Sequence, residues 1–152
     1  MNDLQHNTRK LTPSEAMLRF ASQYIGLQEI VGEEHNPIIL QMFKDIGFSW
    51  VKDDETAWCS CFINWVAYQT GCAMSNKLNA RSWLYAGKET SNPEPGDIAV
   101  LWRESPTSWK GHVGIFIGFT KTGNLWLLSG NQNNEVNISE YSSAQLLQFR
   151  KL

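Results

Sequence analysis

The sequence lacks the features that mark nucleic-acid-binding, membrane-spanning and secreted proteins. Its formal net charge is −2, whereas nucleic-acid-binding domains usually carry a basic face. No apolar run approaches the roughly 20 residues that a membrane-spanning helix needs. Residues 1–7 are polar and lack the apolar core of a secretory signal. We therefore expect no nucleic-acid partner, no membrane insertion and synthesis in the cytoplasm, with any export by another route.

Cysteine is also scarce, which limits covalent and metal cross-links. The three cysteines, Cys59, Cys61 and Cys72, cannot complete a disulfide framework, and neighbours spaced Cys-x-Cys are poor partners for each other. The sequence has no paired Cys-x-x-Cys spacing and only one histidine in an apolar setting, so a structural zinc site is not expected. Reduced thiols, no metal and no cofactor are the expectation.

The chain is long enough for one hydrophobic core, with 152 residues of which 42% are hydrophobic. We expect a flexible N-terminus over residues 1–11 and a single domain over residues 12–152. Helix signals come first in that domain. Thr12-Pro13-Ser14-Glu15 is a capping box, and Asn36-Pro37 starts a second helix by the same logic. A third helix is predicted from Cys59 to Gly71, and a short one after Asn79.

The hydrophobic period changes after the turn-rich residues 92–97. The pattern then predicts strands over residues 98–102, 113–119, 125–129 and 146–150, with a hairpin turn at residues 121–124. Helices followed by strands indicate an α+β fold, in which N-terminal helices pack on a C-terminal antiparallel sheet.

Cys59 stands at the predicted start of the third helix. Unpaired N–H groups and the helix dipole at such a position lower the pKa of a thiol and favour the nucleophilic thiolate. The backbone N–H of Cys59 is also a candidate donor to the oxyanion of a tetrahedral intermediate. The alternative is a buried cysteine that acts as a small hydrophobe. Cys61 lies about 200° around the helix from Cys59, and Cys72 follows the helix end, so neither is favoured as a nucleophile.

His112 is the best candidate for a catalytic base. It begins a strand between Gly111 and Gly114, which allow another group to approach the backbone closely. His6 and His35 lie in polar surroundings. The alternative for His112 is an edge histidine whose hydrogen bonds are simply satisfied.

A histidine base needs a polar partner that orients its ring. The polar run of residues 129–134 ends the strand predicted to pair with the His112 strand. Asn131 is the preferred partner and Gln132 the second choice. A solvated loop is the alternative interpretation of this run.

Several motifs occur in an order that resembles a known superfamily. They are Trp58-Cys59-Ser60-Cys61-Phe62-Ile63-Asn64-Trp65-Val66, Ala80-Arg81-Ser82-Trp83-Leu84, Pro95-Gly96-Asp97-Ile98-Ala99-Val100, Gly111-His112-Val113-Gly114 and Gly130-Asn131-Gln132. The chain resembles the NlpC/CHAP superfamily of papain-like cysteine peptidases and amidases, in particular small cell-wall hydrolases carried by phages and bacteria. The resemblance runs from about Ile25 to Arg150 and includes Glu29-x-x-Gly32 and Asn36-Pro37.

The resemblance implies a papain-like fold, peptidoglycan as the substrate, Cys59 as the nucleophile and His112 as the base. It also implies a polar third residue on the strand after the histidine. CHAP enzymes often carry Glu-x-Asn there, whereas this chain has Ser129-Gly130-Asn131, which leaves Asn131 as the orienting residue. The Asp-Cys pair usual in NlpC enzymes is also missing, because Trp58 precedes the cysteine.

The sequence hypothesis is therefore amide hydrolysis through a thioester at Cys59. Trp58, Trp83, Trp102 and Gln132 are expected to bind the substrate, with core packing as the alternative for the tryptophans. The rival function is a non-catalytic wall-binding or interaction module that keeps the fold.

The bond that is cut, either the N-acetylmuramoyl–L-alanine amide or a peptide bond of the stem or cross-link, stays open at this point. So does the setting, which is either a phage endolysin released by a holin or an antibacterial toxin delivered by a secretion system. In the second setting an immunity or inhibitor protein is an expected partner. We expect a monomer.

Overall fold

The computed structural model describes residues 9–30, 34–52 and 57–152. Most of the N-terminus that was expected to be flexible, residues 1–8, lies outside the described residues, as does Gly32 of the Glu29-x-x-Gly32 motif. The helices come first, as α1 (Pro13–Ser22), α2 (Pro37–Asp45), α3 (Cys59–Thr70) and a short 3₁₀ helix (Ala80–Tyr85).

The predicted helix starts are confirmed. Thr12 and Glu15 form the reciprocal capping box at α1, and the Asn36 side chain accepts a hydrogen bond of 2.9 Å from the Ile38 N–H at α2. The α3 helix ends at Gly71 with a left-handed φ of 72°, the conformation that glycine adopts without steric cost. Asn79 precedes the 3₁₀ helix, but its side chain forms no cap hydrogen bond there.

Six strands of the described chain form one antiparallel sheet in the order β1-β6-β2-β3-β4-β5. They are β1 (Lys88–Thr90), β2 (Ile98–Trp102), β3 (Gly111–Phe119), β4 (Leu125–Gln132), β5 (Glu135–Tyr141) and β6 (Leu146–Lys151). The strands β1 and β5 were not predicted. Both lie at the edges of the sheet and are rich in polar residues, so they carry little of the apolar signal on which strand prediction rests.

The main core lies between the helices and one face of the sheet, where α3 packs against β3 and β4. Trp58 and Trp83 are fully buried in this core. Gly130 lets β4 lie directly against an indole ring, because a Cβ atom at this position would stand 2.4 Å from Cζ3 of Trp58. A smaller apolar cluster covers the other face of the sheet around Leu101, Phe116 and Leu127.

A buried carboxylate connects three parts of the chain. Asp97, at the start of β2, accepts a hydrogen bond of 2.6 Å from the Ser14 hydroxyl of α1 and lies 3.0 Å from Nζ of Lys151 in β6. It also accepts from the backbone N–H of Glu94 at 2.8 Å. These partners compensate the cost of burying its charge. No helix of the described residues is long and apolar enough to cross a membrane.

Candidate active site

Cys59 is the first residue of α3, as predicted, and the start of this helix is unusual. Trp58 occupies the N-cap position and provides no side-chain hydrogen bond to the first turn. The backbone N–H groups of Cys59 and Ser60 instead lie beside the Cys59 sulfur. Trp58 is itself anchored, because its indole N–H donates to the carboxylate of Glu29. The helix start therefore presents backbone donors to the thiol.

Burial has the largest effect on the Cys59 thiol and raises its pKa above the ordinary value. The backbone N–H of Val113, the Arg103 guanidinium and the N–H groups of the helix start oppose this effect. The start of α3 thus lowers the pKa of the thiol, as expected, but burial raises it by more. The resting state is a neutral thiol. Cys59 nevertheless borders a cavity, and 6% of its surface is exposed.

The other two cysteines lie outside this arrangement. Cys61 is fully buried in the core, where burial raises the pKa of its thiol. Cys72 follows the end of α3 and accepts a hydrogen bond of 3.3 Å from the Thr70 hydroxyl. All three cysteines are free thiols, as expected.

His112 lies on β3, and a glutamine fixes its ring. Nε2 of His112 is 2.9 Å from Oε1 of Gln132. The amide nitrogen of Gln132 is committed elsewhere, because it donates to the carbonyl oxygens of Leu127 and Asn137 and to the Asn137 side chain at 2.7–3.1 Å. The glutamine therefore presents its oxygen to the histidine, so Nε2 of His112 carries the proton as donor. Nδ1 is left with the lone pair.

The lone pair on Nδ1 is the basic group of this site. Nδ1 of His112 is buried and has no hydrogen-bond partner among the described residues. The next residue along β3, Val113, brings its backbone N–H beside the Cys59 sulfur, so the strand that carries His112 reaches the thiol. The thiol and Nδ1 are not hydrogen-bonded in this structure, as is common for catalytic pairs without substrate.

The surroundings of His112 keep its ring neutral. Burial is the main cause that lowers its pKa from 6.5 to about 4, and the positive charge of Arg103 acts in the same direction. The hydrogen bond to Gln132 opposes this shift. The ring of Tyr141 stacks on the imidazole with centroids 4.9 Å apart, and burial raises the pKa of the Tyr141 hydroxyl. At neutral pH the site contains a thiol and a neutral imidazole.

The structure corrects the choice of Asn131 as the partner of His112. Regular alternation along β4 would place Asn131 on the same face as Ser129, and Gln132 on the other. The pairing of β4 with β5 shifts register between Ser129 and Gln132, and Asn131 has a left-handed φ of 56°. This bulge breaks the alternation, so Gln132 and not Asn131 contacts the histidine. Gln132 is also buried, which is inconsistent with the predicted substrate contact.

The expectation that Trp58 and Trp83 line a substrate groove is wrong, because both side chains are fully buried. The indole N–H of Trp83 donates to the buried Ser60 hydroxyl at 3.1 Å. Trp102 is half-buried and donates to the Ala144 carbonyl at 3.1 Å, and it does not border the cavity at Cys59.

The cavity beside Cys59 has a volume of about 220 Å³. Its aromatic residue is Trp109, which is 74% exposed. Arg103 and Lys110 supply its charged side chains. The cavity residues Arg103, Trp109 and Lys110 were not predicted from the sequence, and neither was Tyr141. Trp109 and Lys110 directly precede the Gly111-His112 motif, which is the signal that could have indicated them. Among the described residues, no group of three or more His, Cys, Asp or Glu side chains could hold a metal ion.

Comparisons with known proteins indicate a family and a fold. The profile of the CHAP domain family matches residues 51–131, which include Cys59, His112 and Asn131. The solved structure of NlpC1 from Trichomonas vaginalis is similar, with a TM-score of 0.59 and 15% sequence identity over 95% of this chain and 45% of that chain. The chain thus spans less than half of that neighbour. The likeness confirms the predicted papain-like α+β fold. No curated protein matches the chain.

Proposed function

Because the chain belongs to the CHAP domain family, we propose that it is a peptidoglycan hydrolase that cleaves an amide bond in or next to the peptide stem. The observation that carries this proposal is the buried, unpartnered Nδ1 of His112, whose opposite ring nitrogen is held by Gln132 in the same site as the Cys59 thiol. A cysteine hydrolase needs such a lone pair to take up the proton of its thiol.

Catalysis begins from the neutral pair. As the Cys59 sulfur attacks the amide carbonyl carbon, its proton moves to Nδ1 of His112, and the carbonyl oxygen becomes an oxyanion. The C–N bond then breaks, and the proton on Nδ1 passes to the leaving amine. A thioester remains on Cys59. Water attacks this thioester while Nδ1 takes its proton, the C–S bond breaks, and the proton returns to the sulfur. The products are an amine and a carboxylic acid.

The helix start stabilises the negative charge that develops. We expect the backbone N–H of Cys59 to donate to the oxyanion, because no side chain caps the first turn of α3. Gln132 accepts from Nε2–H throughout and so stabilises the imidazolium that forms when Nδ1 takes up the proton.

Clearing of purified sacculi, followed as turbidity, tests the proposal. Cys59→Ala should lower the rate by at least about a thousandfold, because it removes the nucleophile. Cys72→Ala is the matched control, since Cys72 lies at the far end of α3, and it should clear sacculi at the wild-type rate. Equal rates for Cys59→Ala and the wild type would overturn the proposal.

The raised pKa of the Cys59 thiol also fits the rival function, a wall-binding module without chemistry. That module would bind sacculi without clearing them, and its Cys59 would not react with iodoacetamide at neutral pH. The hydrolase should clear sacculi, and modification of Cys59 by iodoacetamide should stop the clearing.

A further inference from the structure

The cavity beside Cys59 is built around one loop. Residues 103–110 connect β2 to β3, and the loop is closed by a hydrogen bond of 3.2 Å from the Arg103 N–H to the Lys110 carbonyl. Arg103, Trp109 and Lys110 of this loop border the cavity on one side. Leu78 and Asn79 border it from the segment before the 3₁₀ helix. A substrate that reaches the thiol must therefore pass this loop.

Arg81, in the 3₁₀ helix, holds this loop in place. Its guanidinium donates to the carbonyl oxygens of Lys110, Pro106 and Ser105 at 2.8–2.9 Å, and none of these acceptors is charged. Three hydrogen bonds from one planar group fix the loop at Ser105, Pro106 and Lys110. The side chains that face the cavity are thus presented from a rigid base, which reduces the entropy lost when a ligand binds.

The charges at this cavity are unbalanced. Lys110 forms an ion pair of 2.6 Å with Glu104, so its charge is compensated within the loop. Arg103 forms no ion pair with a carboxylate of the described residues, and its guanidinium lies close to the Tyr141 hydroxyl. The guanidinium is exposed and lies close enough to Cys59 to favour its thiolate. An uncompensated arginine beside a thiol that attacks carbonyl groups is placed to bind an anionic group of the substrate.

We propose that Arg103 is a specificity-determining residue that binds a carboxylate of the substrate close to the amide bond that is cut. The inference rests on the proposed function, because peptide stems carry free carboxylates next to their amide bonds. The planar guanidinium matches a carboxylate through two parallel hydrogen bonds. Trp109, exposed on the same loop, provides a flat apolar surface for the backbone of the peptide that carries this carboxylate.

Binding to the Cys59→Ala protein tests this role without any need for turnover. The probes are soluble stem peptides released from sacculi, either untreated or with their carboxylates converted to amides, and calorimetry measures their affinity. The untreated peptides should bind about tenfold to a hundredfold more tightly than the amidated ones, the difference expected for a charge-assisted pair. With Arg103→Gln added, the two forms should bind with equal affinity.

Two further variants separate recognition from folding. Arg103→Lys keeps the charge but loses the planar fork, and its preference for the carboxylate should lie between those of the wild-type and glutamine side chains. Lys121→Gln removes an exposed cation from the β3–β4 turn and should leave the preference unchanged. The inference is overturned if Arg103→Gln keeps the preference for untreated peptides, or if the parent protein shows no such preference.

If the protein is not a hydrolase, the sacculus experiment and the binding experiment give different results. In that case Cys59→Ala and the wild type would release the same amount of material from sacculi, whatever the calorimetry shows. Carboxylate recognition by Arg103 would still be seen in the binding experiment, because Arg103 and not the thiol is varied there.

Discussion

The neutral imidazole of His112 predicts a pH dependence of stability that can be calculated. Burial lowers the pKa of this group in the folded protein from 6.5 to about 4. As the pH falls, the unfolded chain therefore takes up a proton on this residue before the folded protein does. Stability that is present above pH 6.5 is lost as the pH falls towards 4. Linkage gives a loss of about 2 kcal/mol between pH 8 and pH 5 from this residue alone.

Urea denaturation of the wild type and of His112→Gln measures this effect. The glutamine keeps an N–H donor for Gln132 but does not titrate, and all carboxylates titrate equally in both proteins. The free energy of unfolding of the wild type should thus fall by about 2 kcal/mol more than that of the variant between pH 8 and pH 5.

Parallel pH profiles for the wild type and His112→Gln would mean that the folded protein protonates His112 as readily as the unfolded chain does, and that burial does not keep the ring neutral. Nitrogen-15 spectra of the imidazole provide an independent check. At pH 7 they should show a protonated Nε2 and an unprotonated Nδ1, as the hydrogen bond to Gln132 requires. A proton on Nδ1 would contradict the assignment of the base.

Three further predictions concern the strand of the orienting glutamine and the core. Gln132→Ala should lower the rate of sacculus clearing by about tenfold or more, because the histidine loses its orienting partner. Asn131→Gly, which suits the left-handed backbone, should keep the wild-type rate. Slower clearing by Asn131→Gly than by Gln132→Ala would instead indicate Asn131 as the partner. Gly130→Ala should lower the free energy of unfolding by about 1–3 kcal/mol, because its Cβ would clash with the indole ring of Trp58. Gly118→Ala, whose Cβ meets nothing within 4 Å, should change this free energy little. Equal effects of the two substitutions would argue against close packing at Gly130. Asp97→Asn should cost about 1–3 kcal/mol in urea denaturation, since the buried carboxylate and its ion pair with the half-exposed Lys151 are lost. An unchanged midpoint would show that the pair does not stabilise the fold.

The sequence was sufficient to predict the helix starts, the α+β order and the position of Cys59. Capping residues such as Thr12 and Asn36 act within a few residues of the helix they start, so their effect is visible in the local sequence. The start of α3 at Cys59 follows from the apolar period and from Gly71 at its end. Local rules of this kind do not depend on the rest of the fold.

The details of the site depend on contacts that local rules do not contain. Alternation along β4 favours Asn131, and only the bulge formed against β5 brings Gln132 to the histidine. Tryptophan is common both in cores and in grooves, so the burial of Trp58 and Trp83 could not be predicted from composition. Arg103 lies in the β2–β3 loop and Tyr141 at the end of β5, so the two residues come together only in the folded protein.

Mass spectrometry of fragments released from purified sacculi in ¹⁸O-labelled water shows directly whether Cys59 carries out amide hydrolysis on the peptide stem. The wild type should release fragments with new amine and carboxyl ends at one amide bond, with one ¹⁸O atom in each new carboxyl group. Cys59→Ala should release none of these fragments. The same labelled fragments from Cys59→Ala, or new ends only at sugar–sugar bonds, would exclude Cys59 as the nucleophile of a stem amidase.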